Sequence, residues 1–217
     1  MSQRIVMIHA TPLAVAPIND TFSKQWPEAE ISNLLDDALS TDRAKVTEVS
    51  PRLNKRIHSL VEYAISIDAA AVLFTCSAFG SAIDDCARQH TLPVLKPNEA
   101  MFEAALEHGD DIVMLATFAP AVAGMEVEFR ELASAKQSNA KMTAIVVAGA
   151  RDALNVGDVA LHNKLIIEAA SQNQQADAIV LAHFSMEVAF ESAQAAVTCP
   201  VLSSPQAAVA KLKRLMS

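Results

Sequence analysis

The 217-residue chain is 52% hydrophobic and 19% charged, which supplies apolar mass for a sizeable core and argues against a disordered chain. Its 17 Lys and Arg against 25 Asp and Glu give a formal net charge of −8 with no basic run, so no nucleic-acid surface is expected. Three Cys, at 76, 86 and 199, form neither a disulfide framework nor a C-x-x-C motif and point to a reducing cytoplasm, and no apolar run reaches the ~20 residues that span a bilayer.

The first predicted strand covers 4–10. Arg4 followed by the apolar run to Pro17, with Ala14-Val15-Ala16, has the outline of a signal peptide. His9 and Thr11 interrupt the run, and a near copy of it recurs in mid-chain, so it is read as a strand. A helix near 19–25, a strand at 45–49 and a helix over 52–67 follow, with Pro51 suited to that helix's first turn. Then come a strand at 70–75, a helix over 79–89, a strand at 93–95 and a helix over 97–108. Asp110 and Asp111 punctuate the chain. Beyond them strands are predicted at 111–117, 142–148, 177–182 and 200–202, alternating with helices over 121–137, 151–172, 186–197 and 205–216. The strands are short runs of Ile, Val, Leu, Met and Ala, as parallel strands covered on both faces require.

The chain repeats itself. Ile5-Val6-Met7 matches Ile112-Val113-Met114, Ala71 to Cys76 matches Ala178 to His183, and Pro93-Val94-Leu95 matches Pro200-Val201-Leu202. All three pairs share one shift of 107 residues, which marks two copies of one unit. The expected fold is α/β, with two pseudo-symmetric doubly wound parallel-sheet halves and a site in the cleft between them. No Gly/Ser-rich linker separates the copies. The short links after Pro93 and Pro200 suggest an exchange of helices, with residues 1–96 plus 205–217 as one half and 97–204 as the other.

Ligands of open parallel sheets bind beyond the carboxyl ends of the strands, so those residues are the candidates. Cys76 follows a buried strand and precedes a helix, a setting expected to lower a thiol pKa and favour a base or nucleophile. A small buried core Cys is the plainer alternative, and it is the reading for Cys86 and Cys199. His183 is the second copy's equivalent of Cys76 and is expected across the cleft, where a neutral imidazole accepts protons near pH 7. Thr11, Thr75, Ser77, Thr117 and Ser185 gather at strand ends and suit a carboxylate or a developing enolate oxygen, or ordinary helix capping, with Ser185 an obvious cap. His9 lies at another strand end. His58, His90, His108 and His162 fall on helices or loops and are given no chemical role. There is no G-x-G-x-x-G, Walker A or G-x-S-x-G sequence and no metal-ligand spacing, so neither a cofactor nor a metal is expected.

Thr75-Cys76-Ser77 at a strand end of a duplicated α/β unit resembles the aspartate/glutamate/hydantoin racemase superfamily. So do Pro93-Val94 and Pro200-Val201, the latter running into Leu202-Ser203-Ser204-Pro205, and the resemblance covers nearly the whole chain. It implies a cofactor-independent enzyme. The family includes amino-acid racemases, hydantoin racemases, arylmalonate decarboxylases and maleate cis–trans isomerases. Its racemases place one Cys in each half, on opposite faces of the substrate carbon. By resemblance Cys76 is the first of these, whereas His183 stands where the second Cys is expected.

The leading expectation is a cytoplasmic, cofactor-independent racemase or isomerase. It would move a proton at a carbon next to a carboxylate or amide of a small substrate, with Cys76 and His183 catalytic and Thr11, Thr75, Ser77, Thr117 and Ser185 binding. One alternative is a decarboxylase or cis–trans isomerase using Cys76 alone. Another is a non-catalytic small-acid-binding module on the same fold. No nucleic-acid or membrane partner is expected, and a homodimer is the default among oligomers.

Overall fold

A computed structural model describes residues 4–216. Strands β1 (Arg4–His9), β2 (Glu30–Leu35), β3 (Ala69–Phe74) and β4 (Val94–Leu95) form one parallel sheet in the order β2-β1-β3-β4. Strands β5 (Asp111–Ala116), β6 (Lys141–Val146), β7 (Ala178–Leu181) and β8 (Val201–Ser203) form a second in the order β6-β5-β7-β8. The two orders are the same once the repeat is applied. Pairing is in register, Ile5 with Ile31 and Ala71 in the first sheet and Ile112 with Met142 and Ala178 in the second.

The helices of the first copy are α1 (Val15–Gln25), α2 (Ala38–Arg43), α3 (Pro51–Ser66), α4 (Gly80–Gln89) and α5 (Glu99–Ala105). Those of the second are α6 (Ala119–Ala135), α7 (Ala150–Asn155), α8 (Val159–Ser171), α9 (Phe190–Ala196) and α10 (Ser204–Leu215). Pro51 opens α3, and the Ser50 hydroxyl accepts the Leu53 N–H as its cap.

The alternation of each strand divides its side chains between two layers. Val6, Ile8, Val72 and Phe74 of the first sheet share one core with Ile112, Met114, Ala178 and Val180 of the second, together with residues of α3, α4, α5 and α6. Phe102 of α5 and Phe129 of α6 meet there edge to face, 5.5 Å between centroids. Ile5, Met7, Ala71 and Leu73 point the other way and are covered by α1 and by Ala208, Val209 and Leu212 of α10. Val113, Leu115, Ile179 and Leu181 pack under α8 and α9. Helix α5 lies against β7, β8 and α10.

Helix α2 was not expected from the sequence, and three expected elements take a different form. The second strand is 30–35, not 45–49; residues 45–48 are exposed, outside any strand. Strand β2 is an edge strand, half-exposed along its length, so it lacks the continuous apolar run that marked the others. The helix expected over 151–172 is two, broken at Gly157, whose φ of 82° lies in the left-handed region. The helix expected over 186–197 begins instead as a 3-10 segment, Phe184–Ala189.

Candidate active site

Six strand ends converge on one small cavity of about 40 Å³. Thr11 follows β1, Ser40 lies past β2, and Thr75 and Cys76 end β3. From the other sheet come Thr117 and Phe118 after β5, Arg151 after β6, and His183 and Ser185 after β7. The structure therefore brings six of the seven sequence candidates to one place. Ser77 is the exception: it faces a neighbouring groove, its hydroxyl buried without a hydrogen-bond partner.

Cys76 holds an extended backbone, φ −127° and ψ 119°, and leads into a 3-10 turn, Ser77–Phe79. The turn separates it from the start of α4, so the full helix dipole assumed from the sequence does not sit at the sulfur. The expected lowered pKa is accordingly reversed. Burial raises the thiol above its ordinary value, outweighing the Ala78 backbone, the charges of Arg151 and Arg43, and the Ser40 hydroxyl, all of which favour the thiolate. The resting group in the closed cavity is the thiol.

His183 is likewise different from its expectation. Its Nε2 accepts the backbone N–H of Phe118 at 3.2 Å. Burial, reinforced by the nearby Arg151 charge, drives its pKa down to about 3. A neutral ring whose Nε2 is an acceptor carries its proton on Nδ1. The imidazole thus presents a donor, and the lone pair that a general base needs is already engaged.

Arg151 and Ser40 were not anticipated from the sequence. The Arg151 guanidinium lies 4.0 Å from the centre of the Phe118 ring, a cation–π contact. Its helix, α7, starts at Ala150, whose carbonyl is held by His162 Nδ1 at 2.8 Å. That buried contact gives His162 a positioning role at the helix that carries Arg151. Arg151 stands at the start of the helix predicted over 151–172, just past the strand predicted at 142–148.

The remaining candidates sort by their partners. Thr11 caps the 3-10 turn Pro12–Ala14, accepting the Leu13 N–H at 3.4 Å. Thr75 Oγ1 lies 2.9 Å from His9 Nδ1, and His9 Nε2 lies 2.8 Å from Asn33 Oδ1. His9 is fully buried and kept neutral by that burial, so it braces β1 against β2 and β3 and does not line the cavity. Ser185 sits inside its 3-10 segment, which His183 precedes as the capping residue, so it is not the cap expected of it. Cys86 and Cys199 are buried elsewhere. Among the described residues no group of three or more His, Cys, Asp or Glu is arranged to hold a metal, and no helix is long and apolar enough to cross a membrane.

Two parallel sheets of matching strand order meet at their carboxyl ends around a thiol, an imidazole and a guanidinium, a duplicated α/β fold shared with structures of the aspartate/glutamate/hydantoin racemase superfamily. Solved structures that share it include aspartate racemase from Picrophilus torridus, with a TM-score of 0.78 and 15% identity over 99% of this chain and 94% of that one. Glutamate racemase isoform RacE1 from Bacillus anthracis gives 0.74 and 12%, over 99% and 81%. Allantoin racemase from Pseudomonas fluorescens gives 0.73 and 18%, over 99% and 91%. These neighbours are members of that superfamily. No protein-family model matches the sequence, and no curated protein matches it significantly.

Proposed function

We propose that the protein catalyses cofactor-independent proton transfer at a carbon next to a carboxylate or amide of a small substrate, as a racemase or isomerase. The observation that carries this reading is the meeting of one thiol with a fixed cation and a neutral imidazole donor in a cavity built from both sheets. Cys76 is the group that takes the α-proton. Arg151 holds the substrate's anionic oxygen, and His183 Nδ1–H donates to the oxygen on which charge develops as the carbon loses its proton. Thr11, Thr117 and Ser185 supply further hydroxyls around it.

This arrangement shifts His183 from second base to electrophile. A neutral imidazole whose lone pair is taken cannot accept a proton from the opposite face of the carbon. Chemistry through Cys76 alone is therefore favoured over two-base racemisation: in decarboxylation the thiol gives its proton to the carbon that loses carbon dioxide, and in cis–trans isomerisation the thiolate adds to the double bond and departs again after rotation. A cavity of about 40 Å³ is narrow for even a small substrate, so turnover requires it to widen. Water and substrate entering then lift the burial that holds Cys76 protonated, leaving the arginine charges to favour its thiolate.

A second reading, a small-acid-binding module without turnover, draws on the same raised thiol pKa. Incubation in deuterated water with amino acids, hydantoins and short dicarboxylates separates the two. Deuterium entering the α-position by NMR, lost in Cys76→Ser and reduced in Arg151→Gln, supports the enzyme. Binding with no exchange, no released carbon dioxide and no inverted double bond across the panel supports the module, and exchange undiminished in Cys76→Ser overturns the assignment of Cys76. Released carbon dioxide or an inverted double bond would identify the single-thiol branch.

A further inference from the structure

The cavity around Cys76 sits in the field of two guanidiniums. Arg151 and Arg43 both act on the Cys76 sulfur in favour of its thiolate, and Arg151 helps to keep His183 unprotonated. The two differ in how many of their donors are left. Arg43 gives its N–H groups to the carbonyls of Val46, Thr47, Ala78 and Pro120. Arg151 lines the cavity and makes no hydrogen bond or ion pair to any described residue, and its aromatic neighbour Phe118 offers no oxygen. A guanidinium with unspent donors matches the two oxygens of a carboxylate.

The remaining polar groups of the wall are uncharged. His183 presents its Nδ1–H, and Ser40 stands beside the Cys76 sulfur. Thr75 is already engaged by His9 and the Ile8 carbonyl. The hydroxyls of Thr117 and Ser185 make no hydrogen bond to a described residue and are left for a ligand. Among the described residues no Asp or Glu lines the cavity. Asp152, next to Arg151 on α7, is exposed and outside the wall, and Asp36, just past β2, is bound by Arg56 at 2.5 Å.

This distribution of charge bears on what the reacting carbon can carry. An α-amino acid brings an ammonium one bond from that carbon. In this cavity the ammonium would meet the like charge of Arg151 and no carboxylate, so its desolvation would go uncompensated. The one anion the wall can form, the Cys76 thiolate, must stay free to take a proton. A hydroxyl or an acylated nitrogen at the same place would exchange hydrogen bonds with Thr117 and Ser185 and bring no second charge.

We propose that the Cys76 cavity selects small carboxylates whose reacting carbon carries an uncharged hydrogen-bonding group, a hydroxyl or an acylated nitrogen, and rejects those whose reacting carbon carries an ammonium. Arg151 takes the carboxylate, and Thr117 and Ser185 take the uncharged group. The inference rests on the reading of this cavity as the substrate site and narrows what enters it.

Protection of Cys76 from iodoacetamide near pH 8, followed on its own peptide by mass spectrometry, reads binding without requiring turnover. Lactate, alanine and lactamide have nearly the same shape. Alanine replaces the lactate hydroxyl by an ammonium, and lactamide replaces its carboxylate by an uncharged amide. Lactate is expected to protect at the lowest concentration, with alanine and lactamide each needing at least about tenfold more. Arg151→Gln should weaken protection by lactate at least about tenfold. Ser185→Asp, which adds a carboxylate to the wall, should narrow the preference for lactate over alanine at least about tenfold. Circular dichroism confirms that each variant is folded; Thr117→Asp replaces Ser185→Asp if that one is not, and the three ligands on the wild type decide the matter if neither folds. Alanine protecting as well as lactate, or a preference unmoved by the added carboxylate, overturns the inference and leaves the substrate site in place. Protection by none of the three also overturns it, and the deuterium-exchange panel judges the underlying reading separately.

Discussion

Replacing His183 with glutamine should flatten the acid side of the protein's stability profile. The folded ring titrates at about 3 and the unfolded one near 6.5. The folded state therefore binds fewer protons, and the stabilisation is present above the unfolded value and lost as pH falls from about 6.5 toward 3. At pH 5 an unfolded histidine is almost fully protonated, so the linkage integral gives a loss of about 2 kcal/mol from this one side chain relative to pH 7.5. By pH 3 the loss reaches about 4 kcal/mol. The substituted amide would carry no such proton while offering an acceptor for the Phe118 N–H. Urea unfolding at pH 7.5 and 5.0 reads the effect as a double difference, in which His9 and His162, both also lowered by burial, cancel. The wild type should lose about 2 kcal/mol more than the variant over this interval. Parallel losses in the two proteins would refute the burial and Arg151 argument, and with it the neutral Nδ1–H form of the ring.

Two further outcomes follow from buried contacts. Arg43→Met leaves four backbone carbonyls without their donor, one of them Pro120 at the start of α6. It should cost about 2–4 kcal/mol by urea unfolding and speed iodoacetamide labelling of Cys76 by loosening the tie between α2 and α6. Phe102→Ala empties a fully buried position beside Phe129 in the core common to both sheets. It should cost about 3–5 kcal/mol, with all spectroscopic probes still melting together; separate melting of two parts would contradict a single shared core.

The apolar strands were legible because both of their faces are covered, and Ile5, Ile112, Ala71 and Ala178 repeat at one spacing for that reason. Edge strand β2 escaped this logic. Its sequence, Glu-Ile-Ser-Asn-Leu-Leu, faces solvent on part of its length, and a β-rich stretch at 45–49 took its place in the reading. That displacement has a direct cost at the site. With the strand placed well downstream of its true position, helix α2, which carries Ser40 just past the strand end, was not recognised. Arg151 was missed because charged side chains at a helix start look like solvent-facing ones until a partner such as Phe118 is known. The protonation states of Cys76 and His183 depend on how closely two distant segments pack, and no local pattern records that.

The outer face of β1 is covered by α1 and by α10, which is made long after it. Ile5 and Met7 therefore wait for Ala208, Val209 and Leu212 before they are fully shielded from water. Vectorial synthesis cannot finish the N-terminal sheet first. That flank has only α1 as cover, and stays partly open to wayward contacts, until α10 has left the ribosome tunnel.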